Sequence, residues 1–200
     1  MNHDIVAIGG SAGALNVILG LTRALTPDIA GSIFIAIHRS PEAASLLPEI
    51  LSRTSTWPAT HPLHGEKIKR GHIYVAPPDM HLMLRPGSME IVRGPKENGH
   101  RPAVDALFRT AAASYRSRVI GVVLSGHQDC GTAGMLSIKA RGGVSVVQDP
   151  LSSEVAEMPQ ALVVSPQRAK PLALNRLLGV ELFHVLGDSM RGVFFKPSDQ

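Results

Sequence analysis

Residues 4–8 (DIVAI) form a short apolar run halted by Gly9-Gly10, after which Ala14, Val17, Ile18, Leu21 and Leu25 recur at helical spacing. A run with no polar alternation has no solvent face, so it predicts a strand buried on both sides. The i, i+3, i+4 pattern behind it predicts a helix laid on that strand. The unit recurs along the chain. Residues 32–37 (SIFIAI) are a second run, ending at His38 and followed by a helical stretch around 43–53. Residues 119–124 (VIGVVL) lead into SGHQDCGTAG and a helix over 135–140, and 144–147 (VSVV) form a further short strand. Strand, helix and strand at this spacing predict parallel strands joined by right-handed crossovers. The expected architecture is α/β: an open, mostly parallel, doubly wound sheet with helices on both faces.

Between Pro58 and Pro95 the pattern changes to short, near-alternating pieces, HIYVAPP, HLMLRP and MEIVRGP, which predict strands with a hairpin around Pro86-Gly87-Ser88. RPAVDALFRTAAASY has helical periodicity with Pro102 near its first turn. PQALVVS predicts a turn of helix and then a short edge strand. Two hundred residues with 44% hydrophobic and 4% aromatic content suit one domain, assigned to 1–187, with a polar, loosely held tail over 188–200.

A net charge of +4 favours acidic partners, yet the Lys and Arg residues are scattered and no basic face interleaved with aromatics is present, which argues against nucleic acid. No apolar run reaches the roughly 18 residues of a membrane span, and there is no secretory leader pattern. Cys130 is the only cysteine, so there is no internal disulfide and no C-x-x-C zinc pattern. These observations together predict a cytoplasmic chain.

In an open sheet of this kind ligands bind beyond the carboxyl ends of the strands. Three such ends carry reactive residues: Ser11, His38 and the loop containing Asp129. Gly9-Gly10-Ser11-Ala12-Gly13 reads as G-x-S-x-G, a serine on a strained turn between strand and helix. It also reads as a dinucleotide fingerprint with serine at the second glycine. The second reading is the weaker: Ser11 obstructs the approach of a pyrophosphate, no acid ends the second strand, and no Tyr-x-x-x-Lys follows Tyr74 or Tyr115. A serine hydroxyl needs a base and a group to orient that base, and Ser11, His38 and Asp129 can supply those roles. Each also has an ordinary reading, as a turn residue, a strand-end histidine and a helix cap.

The segments IGGSAGA, IAIHRSP, GHIYVAPPDMHLML, RPAVDALFRTAA, VVLSGHQDCGTAGM, IKARGGVSVVQDP and MPQAL, in this order, resemble the catalytic domain of the CheB chemotaxis-receptor methylesterases from about Ile5 to Leu178. The resemblance implies a three-layer α/β/α domain. It implies hydrolysis of glutamate γ-methyl esters on chemoreceptor cytoplasmic helices, with receptor glutamine deamidation in many members, by a serine triad without cofactor. Ser11 falls on the nucleophile and His38 on the base. The motif begins within ten residues of Met1, so a stand-alone domain without the usual receiver domain is expected, with a separate regulatory protein as a further partner.

The third position departs from the pattern. The family's loop commonly reads L-[ST]-G-x-x-x-D-G, and setting it on 124–131 puts Cys130 at the acid, with Asp129 one residue off register. Three outcomes are open: Asp129 takes the role, Cys130 acts as a thiolate favoured by a helix N-terminus, or the domain is a weakened or inactive esterase that binds receptor. Other residues carry weaker expectations. His127 is a substrate contact or a solvated loop residue; Arg101 and Asp105 reach the cleft or form caps and ion pairs; Met158-Pro159 shapes a cleft wall.

Overall fold

The structure, a computed structural model, describes residues 3–39, 45–164 and 170–172. In chain order the elements are β1 (Ile5–Gly10), α1 (Ala14–Arg23), β2 (Ser32–Ile37), α2 (Leu47–Thr54), β3 (Ala59–Thr60), β4 (His72–Val75), β5 (His81–Arg85), β6 (Ser88–Val92), α3 (Val104–Tyr115), β7 (Val119–Val123), α4 (Thr132–Ala140), β8 (Val144–Gln148), α5 (Glu157–Val163) and β9 (Lys170–Leu172). Seven strands form a sheet of order β3-β4-β2-β1-β7-β8-β9 in which every neighbouring pair is parallel. The expected doubly wound α/β architecture is present.

Strand alternation sorts the core into two layers. Ile5 and Ala7 of β1, with Phe34 of β2 and Val119 and Val123 of β7, pack against Leu107, Phe108 and Ala111 of α3, Met135 and Ile138 of α4, and Met158 and Leu162 of α5. Val6 and Ile8, with Ile33, Ile35, Ile120 and Val122, pack against Val17, Ile18 and Leu21 of α1 and Leu47 and Leu51 of α2. No helix among the described residues is long and apolar enough to cross a membrane.

A two-stranded hairpin is marginal by itself in water, and β5–β6 is held to the domain by α3. Thr110 Oγ1 accepts from Leu84 N (3.0 Å), Ser114 Oγ donates to Leu84 O (3.0 Å), and Tyr115 Oη donates to Arg85 O (2.9 Å) while accepting from Gly87 N (2.8 Å). Gly87, at the predicted turn, takes φ 79°.

The hairpin expected around Pro86-Gly87-Ser88 is present, formed by HLMLR and SMEIV, while HIYV is β4 of the main parallel sheet, beside β2. Two details differ from the sequence reading. The helix in PQALVVS continues through Val163, because Met158 and Leu162 carry it onto the core; the edge strand is β9 instead. Buried contacts here override the strand preference of Val-Val. The helix after β2 starts at Leu47, and the 188–200 tail lies outside the described residues.

Helix α3 packs closely against α4. A Cβ on Gly134 would lie 2.5 Å from Phe108 Cβ, an atom fixed to the backbone. Gly134→Ala is therefore expected to force the helices apart and lower stability by about 1–3 kcal/mol. A urea unfolding midpoint equal to that of the unaltered chain would contradict this.

Candidate active site

The chain builds outward from β1 through β2 to β4 and then returns to place β7 on the other side of β1. The order therefore reverses between β1 and β7, and their carboxyl ends flank the crevice where such sheets bind ligands. Backbone pairing continues past the strands there: Ser11 N donates to Ser125 O (2.9 Å), Leu124 N to Gly9 O (2.9 Å) and His38 N to Gly10 O (3.1 Å). Gly10 and Ile37 are register partners. Ser11 and His38 each follow one of them, so they leave the sheet side by side on strands about 4.8 Å apart.

The serine turn is held from below. Ser125 is fully buried; its Oγ donates to Ala12 O (2.7 Å) and accepts from Val155 N (2.8 Å), and its amide donates to Gln148 Oε1 (3.0 Å). A Cβ on Gly126 would lie 2.7 Å from Ser11 Cβ and collide with Met158 Sδ, so only glycine lets this loop approach the serine. Positive φ occurs at Gly13 (79°) and Gln128 (66°), not at Ser11. The strained serine turn anticipated from G-x-S-x-G is thus absent: Gly13, the N-cap of α1, makes the bend instead.

The His38 ring lies against a residue that the sequence did not single out. His100 stacks on it with centroids 3.6 Å apart and planes 8° from parallel. Among the described residues, neither ring nitrogen of His38 has a hydrogen-bond partner, although both are buried. Burial, and then the neighbouring His100, push the His38 pKa down to about 4. The imidazole is neutral at pH 7 and a weak base. His100 Nε2 is 3.1 Å from Gln128 Oε1, and Gln128 N donates to Glu157 Oε2 (2.8 Å).

Neither Asp129 nor Cys130 bonds to the His38 ring. Asp129 is exposed, and among the described residues its carboxylate accepts no hydrogen bond and joins no ion pair. The structure does not bring it to His38. Cys130 is 1% exposed and packs in the core under α3, with the Val104 and Asp105 amides and the Asn98 side chain near enough to favour its thiolate. Burial nevertheless pushes its thiol pKa up, which disfavours the thiolate.

Arg101 is engaged with Asp79 (Nη2–Oδ1 2.7 Å), and Asp105 accepts from Gly134 N (2.6 Å) and Asn98 Nδ2 (2.9 Å). Both serve packing. His127 is exposed, 3.3 Å from Glu157 Oε1. Met158 is fully buried against Gly126, beneath the loop that approaches Ser11. The His127 amide, between donors committed to Val155 O and Glu157, has no acceptor among the described residues, and the open N-terminal turn of α1 follows Ser11. These N–H groups suit a developing oxyanion. The sequence reading missed His100, Gln128 and the clamp of Ser125. A lone histidine in a polar turn gives no pattern to find; the clamp was visible only as a serine inside SGHQDCG.

The CheB methylesterase family model matches residues 6–178. A Leptospira interrogans protein provisionally named a protein-glutamate methylesterase/protein-glutamine glutaminase is 33% identical over 184 residues, covering 92% of this chain and 94% of its own. A Paramagnetospirillum magneticum protein-glutamate methylesterase/protein-glutamine glutaminase is 38% identical over 165 residues, covering 79% of this chain but 43% of that longer protein. The crystal structure of the Thermotoga maritima CheB methylesterase catalytic domain superposes with a TM-score of 0.81 at 28% identity, over 89% of this chain and 98% of that one.

Proposed function

The chain belongs to the CheB methylesterase family, and we propose that it hydrolyses glutamate γ-methyl esters on the cytoplasmic helices of chemoreceptors, with Ser11 as nucleophile and His38 as base. The observation that carries this reading is the pairing of the two residues at the carboxyl ends of the adjacent parallel strands β1 and β2, the first of which borders the sheet's reversal point. His38 takes the Ser11 proton as Oγ attacks the ester carbonyl. The oxyanion forms against the free amides beside Ser11, and the imidazolium returns the proton to the departing methoxide, releasing methanol. Water, deprotonated by His38, then splits the acyl-enzyme to the glutamate carboxylate and Ser11. The same steps on a glutamine amide release ammonia, in keeping with the glutaminase half of the relatives' names.

A second reading is favoured by the two unpartnered nitrogens of His38: a domain that binds methylated receptor and hydrolyses it slowly, because no carboxylate stabilises the imidazolium. Methanol release from a methylated receptor fragment, with binding of the same fragment measured in parallel, separates the two. Turnover supports the esterase. Binding without methanol supports the second reading, and neither binding nor turnover removes both.

A further inference from the structure

We propose that His100, tethered by Gln128, is the positioning residue of the base, orienting the His38 ring by stacking where a serine triad uses a carboxylate. This rests on the assignment of Ser11 and His38 made above. A histidine ring turns easily about its outer torsion, whose preference is broad. In a triad a hydrogen bond to one ring nitrogen removes that freedom. Among the described residues His38 has no such bond on either nitrogen, and the contact that fixes its plane is the His100 face at 3.6 Å.

His100 is itself held on two sides. Its backbone pairs with Glu97 in both directions (3.1 and 2.9 Å), and Glu97 is bound by both terminal nitrogens of Arg109 on α3 (2.9 and 2.8 Å). Its ring meets the amide of Gln128; an amide oxygen only accepts, so Nε2 of His100 carries the proton. Gln128 adopts φ 66°, a left-handed conformation that costs a non-glycine residue energy and persists where its surroundings enforce it. Glu157 of α5 enforces it through the Gln128 amide. The base is therefore clamped from α3 on one side and α5 on the other, through His100.

Stacking orients the ring but gives the imidazolium nothing, which separates it from a carboxylate. Around the crevice stand Arg39 after β2, Glu97, His100 and Arg101 before α3, Asp105 on α3, His127, Asp129 and Cys130 between β7 and α4, Glu154 before α5 and Glu157 at its start. Of these, His100 acts on His38; burial first, and then His100, hold the ring neutral to low pH.

The test follows the His38 imidazole by NMR in histidine-labelled protein while the rate of Ser11 modification by a fluorophosphonate is measured across pH. In His100→Ala the His38 titration midpoint is expected to rise from about 4 toward the ordinary 6.5, and labelling at pH 7 to fall about tenfold as the ring loses its orientation. His100→Phe restores the flat face and the burial, so labelling returns to within about threefold and the midpoint falls back most of the way. Gln128→Gly loosens the tether and gives an intermediate loss. Unchanged midpoint and labelling in His100→Ala overturn the proposal, as does a His100→Phe no better than alanine. If no variant is labelled at Ser11, the nucleophile assignment fails; the His38 midpoint in His100→Ala still decides the stack, a rise supporting it and no change overturning it.

Discussion

Cys130→Asp is expected to raise kcat for glutamate methyl-ester hydrolysis by about 10³-fold. Losing the acid of a serine triad costs about 10⁴-fold or somewhat more, which bounds the gain. The location offers donors to a carboxylate: the amides of Val104 and Asp105, at the start of α3, and the Asn98 side chain act on the Cys130 sulfur. A thiol uses such donors poorly, whereas a carboxylate takes them as charge-assisted bonds at a helix N-terminus. Against this stands the buried Asp105 carboxylate, a like charge nearby. That repulsion, and the desolvation of a buried carboxylate, keep the expected gain below the full factor.

The pH profile carries a second signature of the same substitution. Burial and His100 push the His38 pKa down to about 4, so activity is expected to rise through pH 4 and to be flat above it. A carboxylate favours the imidazolium, so in Cys130→Asp the acid limb moves to higher pH even as the plateau climbs. Methanol release between pH 4 and 8 reads both effects, and a plateau that stays put would remove Cys130 as the missing acid position. Asp129→Ala should leave the rate within about twofold, as expected of an exposed carboxylate without partners. A large loss there would mean that Asp129 swings in to serve the base.

Ser11→Ala should behave unusually for a nucleophile. In a complete triad its loss costs about 10⁶-fold, but members that act as a unit are grossly non-additive, and a chain already without its acid has surrendered most of that factor. The expected loss is about 10²-fold in the present chain and about 10⁵-fold or more in the Cys130→Asp background. Single-turnover methanol release in the four chains of this cycle measures it. Equal losses in both backgrounds would show that the introduced carboxylate and Ser11 do not act together, and no loss in either would dismiss Ser11.

The strands around the site were legible because β1, β2 and β7 are buried along nearly their whole length and therefore written as unbroken apolar runs. Ser11 and His38 followed from that legibility, since both stand at the end of such a run. Cys130 was legible as a departure, because a one-residue shift in a loop pattern can be counted. His100 was not: it lies in a polar turn with no periodicity, and its meeting with His38 depends on how α3 and the hairpin fold back over the sheet. Val163 misled for a related reason, its side-chain preference being local and its helix being imposed by the core contacts of Met158 and Leu162. The unstrained backbone of Ser11 was equally hidden, because G-x-S-x-G does not say which of its residues makes the bend.

Ser125 joins the serine turn, the loop after β7 and the segment before α5 through one buried hydroxyl. The walls of the crevice are therefore fused along its floor, and an opening fluctuation must break them together as a cooperative unit. A methylated side chain meets a fixed slot, and any adaptation between enzyme and substrate falls to the substrate and to the exposed rim carrying His127 and Asp129.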